Sequence, residues 1–260
     1  RKQVASSNPT AVPEPRLRGL LRYNLWAGIF HAAQGVAILA LANNASLPVS
    51  INYLMDPPVP GARFQTVHLF DFPLALGVAV FSLLSAAAHF WIIGPGKARY
   101  ANDLANKRNI ARWVEYSISA TLMLILISSY SGITDVAALL CLVGANVGMI
   151  LFGWLQETMN PPDRTTTTMK PFWFGTLAGM APWAAVWVNV IGADTVPGFV
   201  FGIVVAEQVF FFSFALNQWL QYRGVGKWTN YVYGEKVYLV LSLAAKSFLA
   251  WQIYGGSLAN

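Results

Sequence analysis

Four ionisable side chains stand inside stretches that are otherwise apolar: His31, His89, Glu115 and Lys246. The sharpest anomaly is Lys246, in YLVLSLAAKSFLAWQIYGG, where every other residue from Val237 to Tyr254 is uncharged. An amine at the middle of a membrane span costs ~2.5–3.5 kcal/mol on insertion scales, so its retention asks for a reason. Three uses fit: covalent attachment of a cofactor, snorkelling to the interface, and structural pairing with a carboxylate. Burial disfavours the ammonium form, and a neutral amine attacks carbonyl carbons to give a Schiff base. If that nitrogen stays protonated, a carboxylate must compensate it.

Basic residues at the span ends serve as a depth ruler. His31 lies nine residues after Arg22, His89 eight before Lys97, Glu115 seven after Arg108 and Lys246 ten after Lys236. A rise of 1.5 Å per residue turns these separations into depths of about 14, 12, 11 and 15 Å. Four spans of alternating direction thus bring their ionisable groups into one layer ~4 Å thick. Independent snorkelling residues need not agree in this way, so the spacing predicts a shared, water-holding pocket rather than four separate core residues. Within the layer Glu115 is the only carboxylate able to face Lys246. Ser242, Ser119 and Ser85 each stand four residues from Lys246, Glu115 and His89, hence on the same helix faces. Each hydroxyl can serve the pocket or bond back to its own helix. Trp113, Tyr116, Phe172, Trp173, Phe174, Trp183, Phe210, Phe211, Phe212 and Phe214 supply aromatic walls for a slot.

The elements that must position these groups are membrane helices. Of the 260 residues 56% are hydrophobic and 11% charged, against about 25% charged in soluble domains. Apolar stretches fall at about 20–42, 69–94, 109–131, 133–156, 171–193, 197–221 and 232–255. The reading is therefore an all-α membrane protein with a seven-transmembrane-helix bundle over 19–260, and a polar, proline-containing tail over 1–18. The tail lacks the apolar core of a signal peptide, and the missing initiator Met points to processing or trimming. Of the 17 cations, all but Arg63 and Lys246 fall on the tail side. By the positive-inside rule the amino terminus is cytoplasmic and the carboxyl terminus extracellular, in a multi-pass plasma-membrane protein. The net charge of +6 is then a topology signal, and no nucleic-acid partner is expected. The single cysteine, Cys141, excludes a disulfide framework and a cysteine metal cluster.

Between the first two spans, LPVSINYLM and ARFQTVHLF flank DPPVPG, which predicts an extracellular β-hairpin that either contacts a second copy or covers the bundle. GANVG in the fourth span, Gly144 to Gly148, permits close helix approach, read as packing inside the bundle, with a dimer face as the alternative. Glu207, with Gln208 beside it in the sixth span, falls ~24 Å from the ruler's origin, beyond Lys246. It is read as a buried neutral acid, with a lateral opening or a proton route as alternatives.

RWVEYSISA, ILFGWLQE, PFWFG, VPGFVFG, SFALNQWLQYRGVGKW and VLSLAAKSFLAWQI resemble the heliorhodopsins, an inverted-topology family of retinal-binding rhodopsins, from about residue 20 to the end. The resemblance implies all-trans retinal on Lys246 as a protonated Schiff base, with Glu115 as counterion. It implies that His31, His89, Ser85, Tyr116 and Ser242 line a hydrated region beside it, with Ser119, Asn146, Met149, Trp183 and Phe211 also at the cofactor. It further implies photoisomerisation, a slow photocycle, a homodimer in the lipid bilayer and, in most members, no ion transport. The leading expectation is a light-sensing photoreceptor that signals to an unidentified cytoplasmic partner. The alternative is a light-driven or light-gated proton or ion transporter that uses Glu207, since apolar runs such as GVAILALA and ATLMLILI leave the outer half otherwise dry. No catalytic triad, metal set or phosphate loop is visible, so the chain is read as not an enzyme.

Overall fold

The computed structural model describes residues 11–259. The first ten residues, with Arg1 and Lys2 of the topology count, lie outside the described residues. In chain order the elements are α1 (Glu14–Leu41), β1 (Ser46–Leu54), β2 (Phe64–Pro73), α2 (Leu74–Ile93), α3 (Lys97–Ala105), α4 (Ile110–Tyr130), α5 (Val136–Thr158), α6 (Lys170–Gly192), α7 (Gly198–Arg223) and α8 (Tyr231–Ile253). A 3-10 turn (Gly226–Thr229) precedes α8 and a π turn (Tyr254–Leu258) follows it.

All the helices but α3 are long and apolar enough to cross a membrane. Their outward side chains are apolar too: Leu177, Val188 and Ile191 are 71%, 71% and 77% exposed. A water-facing surface would not tolerate such a covering, whereas lipid does. The helices form a ring in which α1 packs on α2, α2 on α4, α4 on α5, α5 on α6 and α7 on α8, with α8 returning against α1. Neighbours α6 and α7 touch least, and that seam matters below. The apolar core around Phe81, Leu126, Ile127, Ile203 and Leu249 fills the hairpin-side half.

Local chemistry sets several ends. The Asn109, Asp135 and Asn230 side chains accept from the first backbone N–H groups of α4, α5 and α8. Gly224 ends α7 at φ 62°, with Val225 N–H bonded to Leu220 C=O and Gly224 N–H to Gln221 C=O, a Schellman closure that a Cβ would strain. α1 begins at Glu14, inside the segment assigned to the tail, because Pro13 and Pro15 suit a helix start and Glu14 favours the positive end of the helix dipole.

Three further departures from the sequence reading have physical causes. Residues 69–73 belong to β2 rather than to the second span, since a short run with Leu69, Phe70 and Phe72 looks apolar in either conformation. The basic connection after α2 contains a short helix, α3, whose Tyr100 and Leu104 pack against Leu17, Leu20, Ile92 and Val232. Nothing lies within 4 Å of where a Cβ would stand at Gly144 or Gly148, so GANVG does not serve close packing inside the bundle.

The hairpin pairs Ser46 with Pro73 through Leu54 with Phe64, with a bulge between Val49 and Ser50. It rests on the α4–α5 corner: Ser50 N–H donates to Thr134 C=O at 2.9 Å, and Asn52 donates to Asp135 through its backbone (2.9 Å) and side chain (3.1 Å). Burial works against the charged Asp135 carboxyl, but its hydrogen bonds from Ala138, Asn52 and Ala137 outweigh this and hold it below its ordinary value. At the tip, Arg63 donates to Asp56 through Nε and Nη2, each at 2.9 Å. The lone cation of this face among the described residues is thus matched by a carboxylate, which those bonds hold below its ordinary range.

Candidate functional site

The predicted layer assembles on four helices. Lys246, on α8, is 3% exposed, and its Nζ lies 3.3 Å from Glu115 Oε1 on α4. The same amine donates to Ser242 Oγ, one turn earlier, at 2.8 Å, and sits 5.0 Å from the centre of the Tyr116 ring. Glu115 is held from the other side, where Ser85 Oγ of α2 donates to Oε1 at 2.5 Å. Ser85 Oγ also lies 3.0 Å from Phe81 C=O, so its single proton stands within reach of both the pocket carboxylate and its own helix. A buried ammonium and carboxylate at this distance, each with a further polar partner, form the arrangement in which mutual attraction offsets desolvation.

His31 and His89 stack at 5.5 Å with planes 7° apart. His89 Nδ1 bonds Asn24 Oδ1 at 2.8 Å, while His31 Nε2 has no hydrogen-bond partner among the described residues. Asn24, His89, Arg112, Glu115, Tyr116, Glu235 and Ser242 are among the groups lining a cavity of about 30 Å³. A water molecule needs ~10–15 Å³ of such space, so this cavity has room for about two, but of the four predicted groups only His89 and Glu115 line it, while His31 and Lys246 do not.

A second, larger cavity of about 470 Å³ opens on the other side of Lys246. Its walls include Met149, Trp183, Phe211, Trp113, Tyr116 and Phe172, together with Lys246 and Ser242. It reaches the α6–α7 seam, where the exposed Trp173 and Phe212 also line it. Gly179 makes room for Met149, since a Cβ there would collide with the thioether. Its volume lies within the ~300–1,000 Å³ typical of small-molecule sites. Of the aromatics read from the sequence, Phe174 and Phe210 do not line it. Asn146 does not line it either, and donates instead to Thr121 Oγ1 at 3.0 Å. Ser119 is fully buried with no partner for its hydroxyl, so the spacing that placed it beside Glu115 does not produce a bond.

The comparisons with known proteins agree with this geometry. A family model described as Heliorhodopsin matches residues 20–258. The chain belongs to the heliorhodopsin family. Among solved structures it is similar to a cyanorhodopsin from the cyanobacterium Tolypothrix sp. NIES-4075, at TM-score 0.63 and 12% identity, over 95% of this chain and 96% of that one. It is also similar to Exiguobacterium sibiricum rhodopsin, at TM-score 0.58 and 14% identity, over 92% and 98%. At such identities these structures share the fold. No curated protein matches in sequence. Family membership makes this heliorhodopsin a retinal-binding, light-responsive membrane protein.

The residues fit that cofactor. The large cavity is walled by apolar and aromatic groups, which suit a polyene, and Lys246 is the only lysine on its walls. The heliorhodopsin also holds a buried cluster that the sequence reading missed. Arg112 Nη2 donates to Glu157 Oε1 at 2.5 Å and Nη1 donates to Glu235 Oε2. Glu157 further accepts from Asn109 N–H, Trp113 Nε1 (2.6 Å) and Tyr231 OH (3.0 Å), while Asn109 Nδ2 donates to Glu235. The guanidinium lies 3.9 Å from the centre of the Tyr238 ring. This cluster closes the small polar cavity on the side away from Lys246. Its one available signal was that Arg112, Glu157 and Glu235 all fall just inside span ends on the same face of the membrane.

Proposed function

We propose that this heliorhodopsin is a light-sensing photoreceptor of the plasma membrane that carries all-trans retinal on Lys246 as a protonated Schiff base, with Glu115 as counterion. The observation that carries the reading is the Lys246–Glu115 pair, 3.3 Å apart, with Lys246 on the wall of an apolar cavity of about 470 Å³. Bound retinal supplies light absorption and isomerisation. The chain supplies the rest. Glu115 compensates the charge on the Lys246 nitrogen and is its nearest carboxylate acceptor, while Ser85 fixes the orientation of Oε1. Ser242 and the Tyr116 ring hold the nitrogen from two further directions. A proton leaving that nitrogen meets the polar pocket of Asn24 and His89, which the Arg112 cluster separates from the basic face. The placement of the cations supports a cytoplasmic amino terminus, an extracellular carboxyl terminus and a signalling partner on the basic loops. A slow photocycle and a homodimer complete the reading. β2 has no second neighbour strand among the described residues, which leaves an edge for a dimer contact.

Glu115→Gln is the direct test. With the carboxylate charge gone, the visible absorption band is expected to move, since the counterion field on the chromophore is lost. A band at the parent wavelength in this variant rejects Glu115 as counterion.

A transporter that uses Glu207 is the second reading, because this carboxyl is fully buried and both its oxygens lack hydrogen-bond partners among the described residues. The same isolation supports the sensor reading instead: among the described residues no hydrogen-bonded chain joins Glu207 to Lys246. Illuminated vesicles are therefore expected to show no protonophore-sensitive pH change. A light-driven pH change or photocurrent that disappears in Glu207→Gln establishes transport and overturns this expectation.

A further inference from the structure

On the face opposite the hairpin, a cavity of about 300 Å³ opens between the α3–α4 turn, the α5–α6 loop and the α7–α8 connection. Three cations from three separate segments line it: Lys107, Arg164 and Arg223. Tyr222, Trp228 and Tyr231 supply aromatic surface between them. No carboxylate lies in its walls, and none of the three cations makes an ion pair among the described residues. The nearby acids are otherwise placed. Asp103 pairs with Arg108, Glu157 stands behind Tyr231 on Arg112, and Asp163 is exposed outside the walls.

Arg164 is held in position, whereas the Lys107 and Arg223 side chains are exposed. Arg164 Nε donates to Thr167 Oγ1 at 2.9 Å, and Nη1 donates to the carbonyls of Asn160 (3.3 Å) and Pro161 (3.1 Å), so Nη2 remains uncommitted. The Arg164 guanidinium lies 5.5 Å from the centre of the Tyr222 ring, and Trp228 is fixed by donating to Asn217 at 2.7 Å. Lys107 has φ 49°, the only positive φ on a non-glycine residue among those described. That backbone closes α3 as Gly224 closes α7, with Arg108 N–H bonded to Asp103 C=O and Lys107 N–H to Leu104 C=O, each at 3.0 Å, so the turn fixes where Lys107 leaves the helix. Three cations without an ion pair around one concave surface repel one another, and a multivalent anion between them relieves that repulsion.

We propose that this cavity binds a phosphate-bearing anion, with Arg164, Arg223 and Lys107 around the phosphate and the aromatic residues against the group that carries it. The cavity sits where span ends meet the headgroup layer, so the phosphate can come from an anionic lipid headgroup or from a free solute. The test uses the full-length, retinal-loaded chain. Calorimetric titration with inorganic pyrophosphate, at ionic strength matched with sodium chloride, is run beside lipid retention from bilayers of phosphatidylglycerol and phosphatidylcholine. Parent protein is compared with Arg164→Gln/Arg223→Gln. A second variant, Lys107→Gln/Arg223→Gln, leaves the Arg164 loop bonds intact. Saturable pyrophosphate binding, weakened about tenfold or more in both variants, supports a free solute as the source. Selective retention of phosphatidylglycerol that both variants lose, without pyrophosphate binding, supports a headgroup. Absence of both, or equal binding in parent and variants, overturns the site.

Discussion

Lys246→Ala, produced with retinal supplied, is expected to yield a folded protein without a visible absorption band. The expectation rests on chemistry and on position. Lys246 Nζ is the only lysine nitrogen on the walls of the large cavity, and Ser242 and Tyr116 offer no nucleophile able to form a protonated imine. Retinal seated in the slot without that bond keeps its unshifted, shorter-wavelength absorption. Removing the amine also leaves Glu115 without its cation, so lost colour has to be separated from lost fold. Lys246→Arg makes the separation. A guanidinium keeps a positive charge against Glu115 but forms no Schiff base, so this variant is expected to retain helical circular dichroism and a monodisperse elution while remaining colourless. A visible band at the parent wavelength in Lys246→Ala removes Lys246 from the role.

The groups around Lys246 were legible in the sequence because a charge inside an apolar helix is conspicuous in one dimension. Helical rise then turns sequence distance into depth, and depth alone joined His31, His89, Glu115 and Lys246. The ruler works along the membrane normal and says nothing about direction around a helix. That is why Ser119, at the right depth and spacing, nevertheless has no partner. It is also why Gly144 and Gly148, spaced for close packing, lie with nothing within reach. The hairpin was legible from its turn chemistry, whereas its seat on Asp135 depends on a corner 83 residues away along the chain. The Arg112 cluster was hidden for a different reason. At a span end a charged residue is ordinary, and Arg112 counts as one more topology cation. Only the packing of α4, α5 and α8 shows that its side chain is 4% exposed and lies between two carboxylates that are each 1% exposed.

That burial sets the second large effect. Arg112→Met is expected to lower the stability of the retinal-loaded protein by about 3–5 kcal/mol, the usual cost of removing one partner from a buried ionic group. The loss arises mainly from what stays behind. Glu157 and Glu235 would remain desolvated at the helix ends with no cation between them. The backbone and side-chain donors of Asn109 and the indole of Trp113 satisfy some of their lone pairs but do not neutralise their charge. Thermal loss of the visible band is the readout, with circular dichroism to confirm that it follows unfolding. Arg112→Met combined with Glu157→Gln and Glu235→Gln distinguishes charge from packing. If stranded carboxylates cause the loss, the triple variant recovers much of it, because replacing a whole buried ionic group is often close to neutral. If the methionine merely packs poorly against the Tyr238 ring, the triple variant is no more stable than the single one. The outcome also bears on mechanism. The cluster closes the polar pocket beside Glu115, so a triple variant that recovers its stability but returns more quickly to the dark state assigns Arg112 the barrier between that pocket and the basic face.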